Sequence, residues 1–182
     1  MPKNEMLEIK TIKFPRFSDH RGWFQQLWAQ SKVVDEPDFV QENLVFSKEK
    51  GTLRGLHFQN PPHAQSKLVA VLQGSILDIA VDLRGNSPHY GTYYANELSS
   101  DEESPALIIP KGFAHGYITI SKNTLVLYKV DAFYAPNAEG GLMWDDPDLA
   151  IDWQLQKGDK VTLSERDSVW PPFKTFKTPF TF

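Results

Sequence analysis

The chain carries five histidines, His20, His57, His63, His89 and His115, and no cysteine. Imidazole has an ordinary pKa of about 6.5, so near pH 7 it can act as a neutral base and then hold the proton it takes. A metal site is the first use to test. Thiolate ligands are absent, and His57, in His57-Phe58-Gln59, has no second histidine two residues on. His63 lies six positions away, across Asn60-Pro61-Pro62. Two imidazoles side by side on one strand face are therefore not available, and no metal is expected. His20 and His89 are expected to be hydrogen-bonded structural residues.

The richest stretch is residues 51–72, GTLRGLHFQNPPHAQSKLVAVL. Arg54, His57 and Lys67 fall within predicted strands or at their ends, in apolar surroundings. A strand rarely turns a cation inward without a use for it. Strict alternation puts Arg54 and His57 on opposite faces. Bringing both inward requires a bulge or twist, and Gly55 between them is where that could occur. Residues 125–134, LVLYKVDAFY, place Tyr128 and Tyr134 on one face of a predicted strand, with Lys129 and Asp131 on the other. A phenol with a reference pKa of about 10 stays protonated at pH 7 and can donate. By this pattern either tyrosine could serve.

The elements that must position these groups read as strands. In residues 74–83, GSILDIAVDL, the odd positions Leu77, Ile79, Val81 and Leu83 are all apolar, and the even positions Ile76, Asp78, Ala80 and Asp82 are mixed. An apolar face must pack on something, and a mixed one suits a barrel interior that does chemistry. Further strands are predicted over residues 8–14, 22–28, 39–47, 51–58, 67–72, 90–98, 106–109 and 117–120. Turn signals such as Asn60-Pro61-Pro62, Arg84-Gly85-Asn86 and Gly140-Gly141 separate them. Short strands at such spacing indicate an all-β sandwich or barrel. One short helix is predicted over residues 30–36, stopped by Pro37. The Pro-rich end, residues 170–182, is expected to wrap the surface or touch a partner subunit.

Composition removes several function classes. The chain has 182 residues, a length suited to a single domain (residues 1–182) that buries about 70% of its unfolded surface. Lys+Arg number 19 against 23 Asp+Glu, for a formal net charge of −4, which argues against a nucleic-acid partner. Any anionic ligand must then be met by a local cluster of cations. The longest apolar runs are far shorter than the roughly 20 residues that cross a membrane, so no membrane partner is expected. The N-terminus is charged from Lys3 and lacks an apolar signal segment, so a cytoplasmic location is expected. No GxxxxGK[ST] loop or GxGxxG turn is present to cradle phosphates.

The spacing PxGxxH at residues 110–115 resembles the second motif of cupin barrels. The chain as a whole resembles the dTDP-4-dehydrorhamnose 3,5-epimerases, cupin-fold enzymes of deoxysugar-nucleotide biosynthesis. The motifs are LRGLHFQ at 53–59, QSKLV at 65–69, VDLR at 81–84, PKGFAHGY at 110–117, YK at 128–129 and WDDPDLAIDW at 144–153. The resemblance implies a cupin-type double-stranded β-helix or jelly-roll barrel, a homodimer, no cofactor and a nucleotide-sugar substrate. It implies that His57 is the proton-abstracting base, that Asp167 in LSERD pairs with it, and that Tyr128 is the proton donor. It makes Arg21, Gln41, Asn43, Arg54, Lys67, His115, Tyr134 and Glu139 substrate contacts. Gln26 stands where the family usually has Glu, and Arg166 where it usually has Lys; both are carried as substrate-binding positions. Leu44-Val45-Phe46 replaces a polar run, although Ser47 remains. The base and the acid are intact.

The implied chemistry suits these residue types. A sugar C–H is too weakly acidic for imidazole unless a neighbouring carbonyl takes the charge. A C4 ketone acidifies both C3 and C5, so one base can serve two centres. A carboxylate on the other imidazole nitrogen fixes the tautomer and stabilises the imidazolium. Inversion then needs a proton from the opposite face. Lys67 is the candidate for the enolate oxygen, and Arg54 and Arg21 suit the diphosphate, because guanidinium pairs bidentately with phosphate oxygens. His115 could pair with Asp78 as a second dyad. Thymine would stack on an aromatic, and Trp23 and Phe24 adjoin Arg21 in sequence. The rival readings are a single-centre 3-epimerase, a 3,4-ketoisomerase, a non-catalytic sugar-nucleotide binder and a metal-dependent oxygenase.

Overall fold

The computed structural model describes residues 8–29, 37–101 and 105–181. In chain order the strands are β1 (Lys10–Ile12), β2 (Arg16–Asp19), β3 (Gly22–Gln25), β4 (Gln41–Ser47), β5 (Leu53–Gln59), β6 (Lys67–Gln73), β7 (Ser75–Asp82), β8 (Arg84–Gly85), β9 (Tyr93–Ser99), β10 (Ala106–Ile109), β11 (Phe113–Thr119), β12 (Thr124–Val130), β13 (Glu139–Gly141) and β14 (Phe180–Thr181). Two five-stranded antiparallel sheets, ordered β1-β10-β6-β12-β4 and β13-β5-β11-β7-β9, form an all-β barrel as the alternation predicts, of the jelly-roll type that the resemblance implies. The predicted helix over residues 30–36 lies outside the described residues. Among the described residues, no helix is long and apolar enough to cross a membrane.

Strand β7 explains the layering. Its even face sends Ile76 and Ala80 between the sheets, against Val69, Leu107, Phe113 and Val126. Its odd face sends Leu77, Ile79 and Val81 outward, where Leu142, Leu149, Trp153 and Phe180 of the C-terminal half cover them. The C-terminal segment therefore wraps the outer face of one sheet. A third cluster, Leu68, Ala70, Ala106 and Ile108, is covered by Phe14, Trp28 and Phe39. Burying one Leu, Ile or Phe contributes about 1.5–3 kcal/mol, so these layers carry most of the stability.

The motif VDLR turns out to be a structural lock. Arg84 donates to both oxygens of buried Asp82 at 3.0 and 2.8 Å, and Ser87 Oγ donates to Asp82 at 2.7 Å. Several predicted boundaries differ from the fold: the strands predicted over residues 8–14, 22–28 and 90–98 are β1, β3 and β9 with shorter or shifted spans, and two further differences bear on the site. Strand β11 begins at Phe113 rather than residue 117, because all seven of its residues are buried and a central strand shows no alternation. Strand β12 ends at Val130 rather than residue 134. Asp131 accepts the Ser66 N–H at 2.7 Å and pairs with Lys111 at 3.0 Å, which turns the chain out of the sheet. Tyr134 is therefore not a strand residue and does not share a strand face with Tyr128.

The bulge expected at Gly55 is present. His115 pairs with His57 while Tyr117 pairs with Arg54, so three steps on β5 match two on β11. The parity of β5 changes across Gly55, and Arg54 and His57 both reach the same cleft. Gly55 has φ +121°, and a Cβ there would lie 2.5 Å from Gly116 Cα and 2.8 Å from the His115 carbonyl oxygen. Glycine is required on both counts. Gly55→Ala should destabilise the fold by more than about 1 kcal/mol and remove activity, read by urea denaturation and turnover. Wild-type stability in that variant would contradict this account of the bulge.

Candidate active site

Between the sheets lies a cleft of about 290 Å³, lined by Arg54, His57, Lys67, His115, Tyr117, Tyr128, Tyr134, Glu139, Arg166 and Asp167, with Val45, Phe58, Gln59, Gln65, Gly116 and Ser164. His57 projects from β5, and its Nε2 lies 2.5 Å from Oδ1 of Asp167. Asp167 arrives from the C-terminal segment and is buried. Its backbone N–H donates to Ser164 Oγ at 3.1 Å. Burial pushes the Asp167 carboxyl up, but the bond and charge of His57, with Ser164 and Trp170, hold it below the usual carboxylate range. The carboxylate is thus ready to orient the imidazole and to stabilise its protonated form.

Tyr128 projects from β12, which belongs to the opposite sheet. Burial raises its pKa and Arg54 only partly offsets this, so the phenol is neutral at pH 7. Lys67 opens β6, and its Nζ donates to the His57 carbonyl at 3.4 Å. Burial lowers the Lys67 pKa to about 8, against the pull of the Asp78 carboxylate. His115 Nε2 lies 2.7 Å from Oδ2 of fully buried Asp78, so the second dyad is formed. Arg54 Nε reaches Ser47 Oγ at 3.4 Å.

At the mouth of the cleft, Tyr134 donates to Glu139 at 2.8 Å, and Arg166 pairs with the same carboxylate. Gln41 donates to Asn43 at 2.9 Å and accepts the Tyr134 N–H at 3.0 Å. Gln41 and Asn43 therefore position the Tyr134 loop and do not line the cleft. Arg21 and Gln26 are not brought to it either. Arg21 lies in the β2–β3 turn, 79% exposed and bonded to Asp19 at 2.6 Å, and Gln26 is exposed just beyond β3. Trp23 and Phe24 project from the same hairpin, with Arg16 stacked over Trp23 at 4.1 Å. His20, His63 and His89 lie outside the cleft lining. Among the described residues, no three His, Asp or Glu groups gather to hold a metal.

Sequence reasoning missed Tyr117 and Trp170. Tyr117 sits two residues after His115 on β11, so strand parity could have placed it in the cleft. Trp170 meets the His57 ring edge-on at 5.9 Å, a contact made only when the C-terminal segment folds back. The assembled site offers a carboxylate-backed base on one sheet, a phenol on the facing sheet and an ammonium with them. Such a set can deprotonate a carbon beside a carbonyl, hold the enolate and reprotonate it from the other side.

Comparison with known proteins agrees with this chemistry. The family model described as dTDP-4-dehydrorhamnose 3,5-epimerase matches residues 3–175. The dTDP-4-dehydrorhamnose 3,5-epimerase of Sinorhizobium fredii is 40% identical over 178 residues, 96% of this chain and 90% of the relative. The crystal structure of the Bacillus anthracis enzyme of that name, with TDP and PPi bound, superposes with a TM-score of 0.87 at 38% identity, covering 94% of this chain and 98% of the other. A Legionella pneumophila dTDP-6-deoxy-D-glucose-3,5-epimerase, in complex with dTDP-4-keto-L-rhamnose, superposes with a TM-score of 0.83 at 34% identity, covering 93% of this chain and 95% of the other.

Lys67 gives the site a pH signature. Its folded pKa of about 8 lies below the ordinary 10.5, so between these values the unfolded chain binds a proton that the folded chain has released. Stability therefore gains a component that rises with pH across this window, and Lys67→Met should lack it in urea midpoints taken at pH 7 and pH 10. Turnover should fall as pH rises through about 8, as the ammonium loses its charge. A wild-type profile flat to pH 10 would remove Lys67 from the reaction.

Proposed function

The chain belongs to the dTDP-4-dehydrorhamnose 3,5-epimerase family, and on that premise we propose how its cleft inverts C3 and C5 of a dTDP-linked 4-keto-6-deoxyhexose, converting dTDP-4-dehydro-6-deoxyglucose to dTDP-4-dehydro-L-rhamnose. The observation that carries the reading is the placement of His57–Asp167 and Tyr128 on facing sheets of one cleft. His57, oriented by Asp167, takes the proton from C5 or C3. The electron pair moves into the ring, and the charge collects on O4. Lys67 meets that oxygen, a type of contact worth about 10²–10³ in rate when a single preplaced donor is removed. Tyr128 returns a proton to the opposite face, and the C4 carbonyl re-forms. No cofactor enters, because the substrate's own ketone is the electron sink.

Arg54 is assigned to the diphosphate, and His115, held by Asp78, to the sugar. Tyr134, Glu139 and Arg166 close the mouth over the nucleotide, with Gln41 and Asn43 supporting Tyr134. The chain is proposed to work as one cupin-type domain, in the cytoplasm, as a homodimer. Edge strand β4 exposes Leu44 and Phe46, and the β2–β3 hairpin exposes Phe17, Trp23 and Phe24. Apolar edges of this kind need cover. Arg21 and Gln26, remote from the cleft of their own chain, would contact substrate from the hairpin of a second copy. Light scattering should give about twice the 20.7 kDa chain mass, and Phe46→Asp should shift it toward one copy. A wild-type monomer would overturn the dimer.

Solvent exchange tests the chemistry. With dTDP-4-keto-6-deoxyglucose in D2O, wild-type protein should place deuterium at both C3 and C5. His57→Ala should lose exchange by about 10²–10⁴-fold. Tyr128→Phe should keep exchange and lose inversion. Deuterium at C3 alone would replace the double inversion with a single-centre reaction, and no exchange with ligand bound would replace the enzyme with a binder.

A further inference from the structure

Tyr117 has no part in the mechanism above, yet it lines the cleft. It is buried, it lines the cavity, and its side chain belongs to the apolar cluster on which Tyr128 packs. Its register partners are Arg54 on β5 and Asp78 on β7. Its hydroxyl is buried and makes no hydrogen bond of standard geometry among the described residues, with the Ser47 side chain close enough to act on it. Phenylalanine would supply the same packing without that cost. Native interiors rarely leave a polar group unpaired, and one that persists calls for a reason.

The reaction supplies one. When Tyr128 donates, its O–H bond breaks and the proton joins the ring carbon. The enolate π pair becomes the new C–H bond and the C4 carbonyl re-forms. The residue of this step is a phenolate on Tyr128, a charge in an enclosed cleft. A donor that is idle before this step and engaged after it lowers the barrier, because its bond is made only as charge develops.

We propose that Tyr117 is a positioning residue for the proton-return step: its hydroxyl donates to the phenolate left on Tyr128, acting beside Arg54. Tyr117 suits the task because it stays protonated. Burial pushes its pKa up to about 12, with Arg54 and Ser47 pulling the other way. The cycle closes when the Tyr128 phenolate takes a proton from solvent and the His57 imidazolium releases one. The inference rests on Tyr128 being the proton donor.

The test is Tyr117→Phe, which keeps the ring. In D2O with dTDP-4-keto-6-deoxyglucose, deuterium incorporation and product configuration are measured separately, with the affinity for dTDP as a check on folding. Proton removal by His57 is untouched, so exchange should proceed at the wild-type rate with retention, while inversion falls about 10- to 100-fold, as for loss of a hydrogen bond to a charged group. A merely structural role would lower exchange and inversion together. That outcome, or wild-type inversion, overturns the inference. Tyr128→Phe separates the two readings. If it inverts normally, the donor assignment itself fails. If it loses inversion while Tyr117→Phe does not, only the role of Tyr117 fails.

Discussion

A hydrogen bond across 110 residues, from His57 to Asp167, sets the terms for the rest of the molecule. It exists only if the C-terminal segment returns to the strand that carries the base. The outer face of β5 and its neighbours brings that segment back. Phe58, next to the base, meets Phe176 and Phe180 edge-on at 5.5 and 5.6 Å. Trp170 closes against Gly141, where a Cβ would come within 2.5 Å of the indole. The apolar layer and the His57–Asp167 pair are thus built together. A change that loosens the wrapping leaves a buried carboxylate without its partner, which costs far more than the contact removed.

The same economy governs the barrel interior. Asp78 is fully buried, His115 meets one of its oxygens at 2.7 Å, and its pull acts on Lys67. Lys67 is in turn destabilised as a cation, since burial outweighs the pull of Asp78. A cation held this poorly has more to gain when negative charge develops on a substrate oxygen. Desolvation that weakens the resting fold would therefore strengthen the response to the proposed enolate.

Much of this was legible in the sequence where a single strand carries the information. The alternation of residues 76–83 gave both faces of β7 and set Asp78 inward. Gly55 between Arg54 and His57 marked the bulge, because a parity conflict within one strand has few solutions. The sequence was silent where the answer depends on where another segment goes. Nothing local in Tyr134 says that β12 stops at Val130, since Asp131 ends it through Ser66 and Lys111, both distant in sequence. The contact of Trp170 with His57 is likewise a product of the chain's return. Arg21 has the right chemistry for a phosphate, but its hairpin stands away from the cleft of its own chain. The roles of His57, Tyr128 and Asp167 came from family resemblance, because pattern alone left two tyrosines equal.

Two facing sheets are a natural frame for inversion. Packed sheets stand about 10 Å apart, enough to admit a flat ligand only where side chains leave room between them. Here His57 comes from one sheet and Tyr128 from the other, so in the proposed mechanism a ring held between them would meet its two proton-transfer groups on opposite faces. The groups do not exchange roles readily. Asp167 stays ionised below the usual carboxylate range, while burial keeps the proton on Tyr128. Under the proposed roles that asymmetry sets an order: the proton would leave toward the imidazole first, and the phenol would give up its own only when an enolate is present to take it.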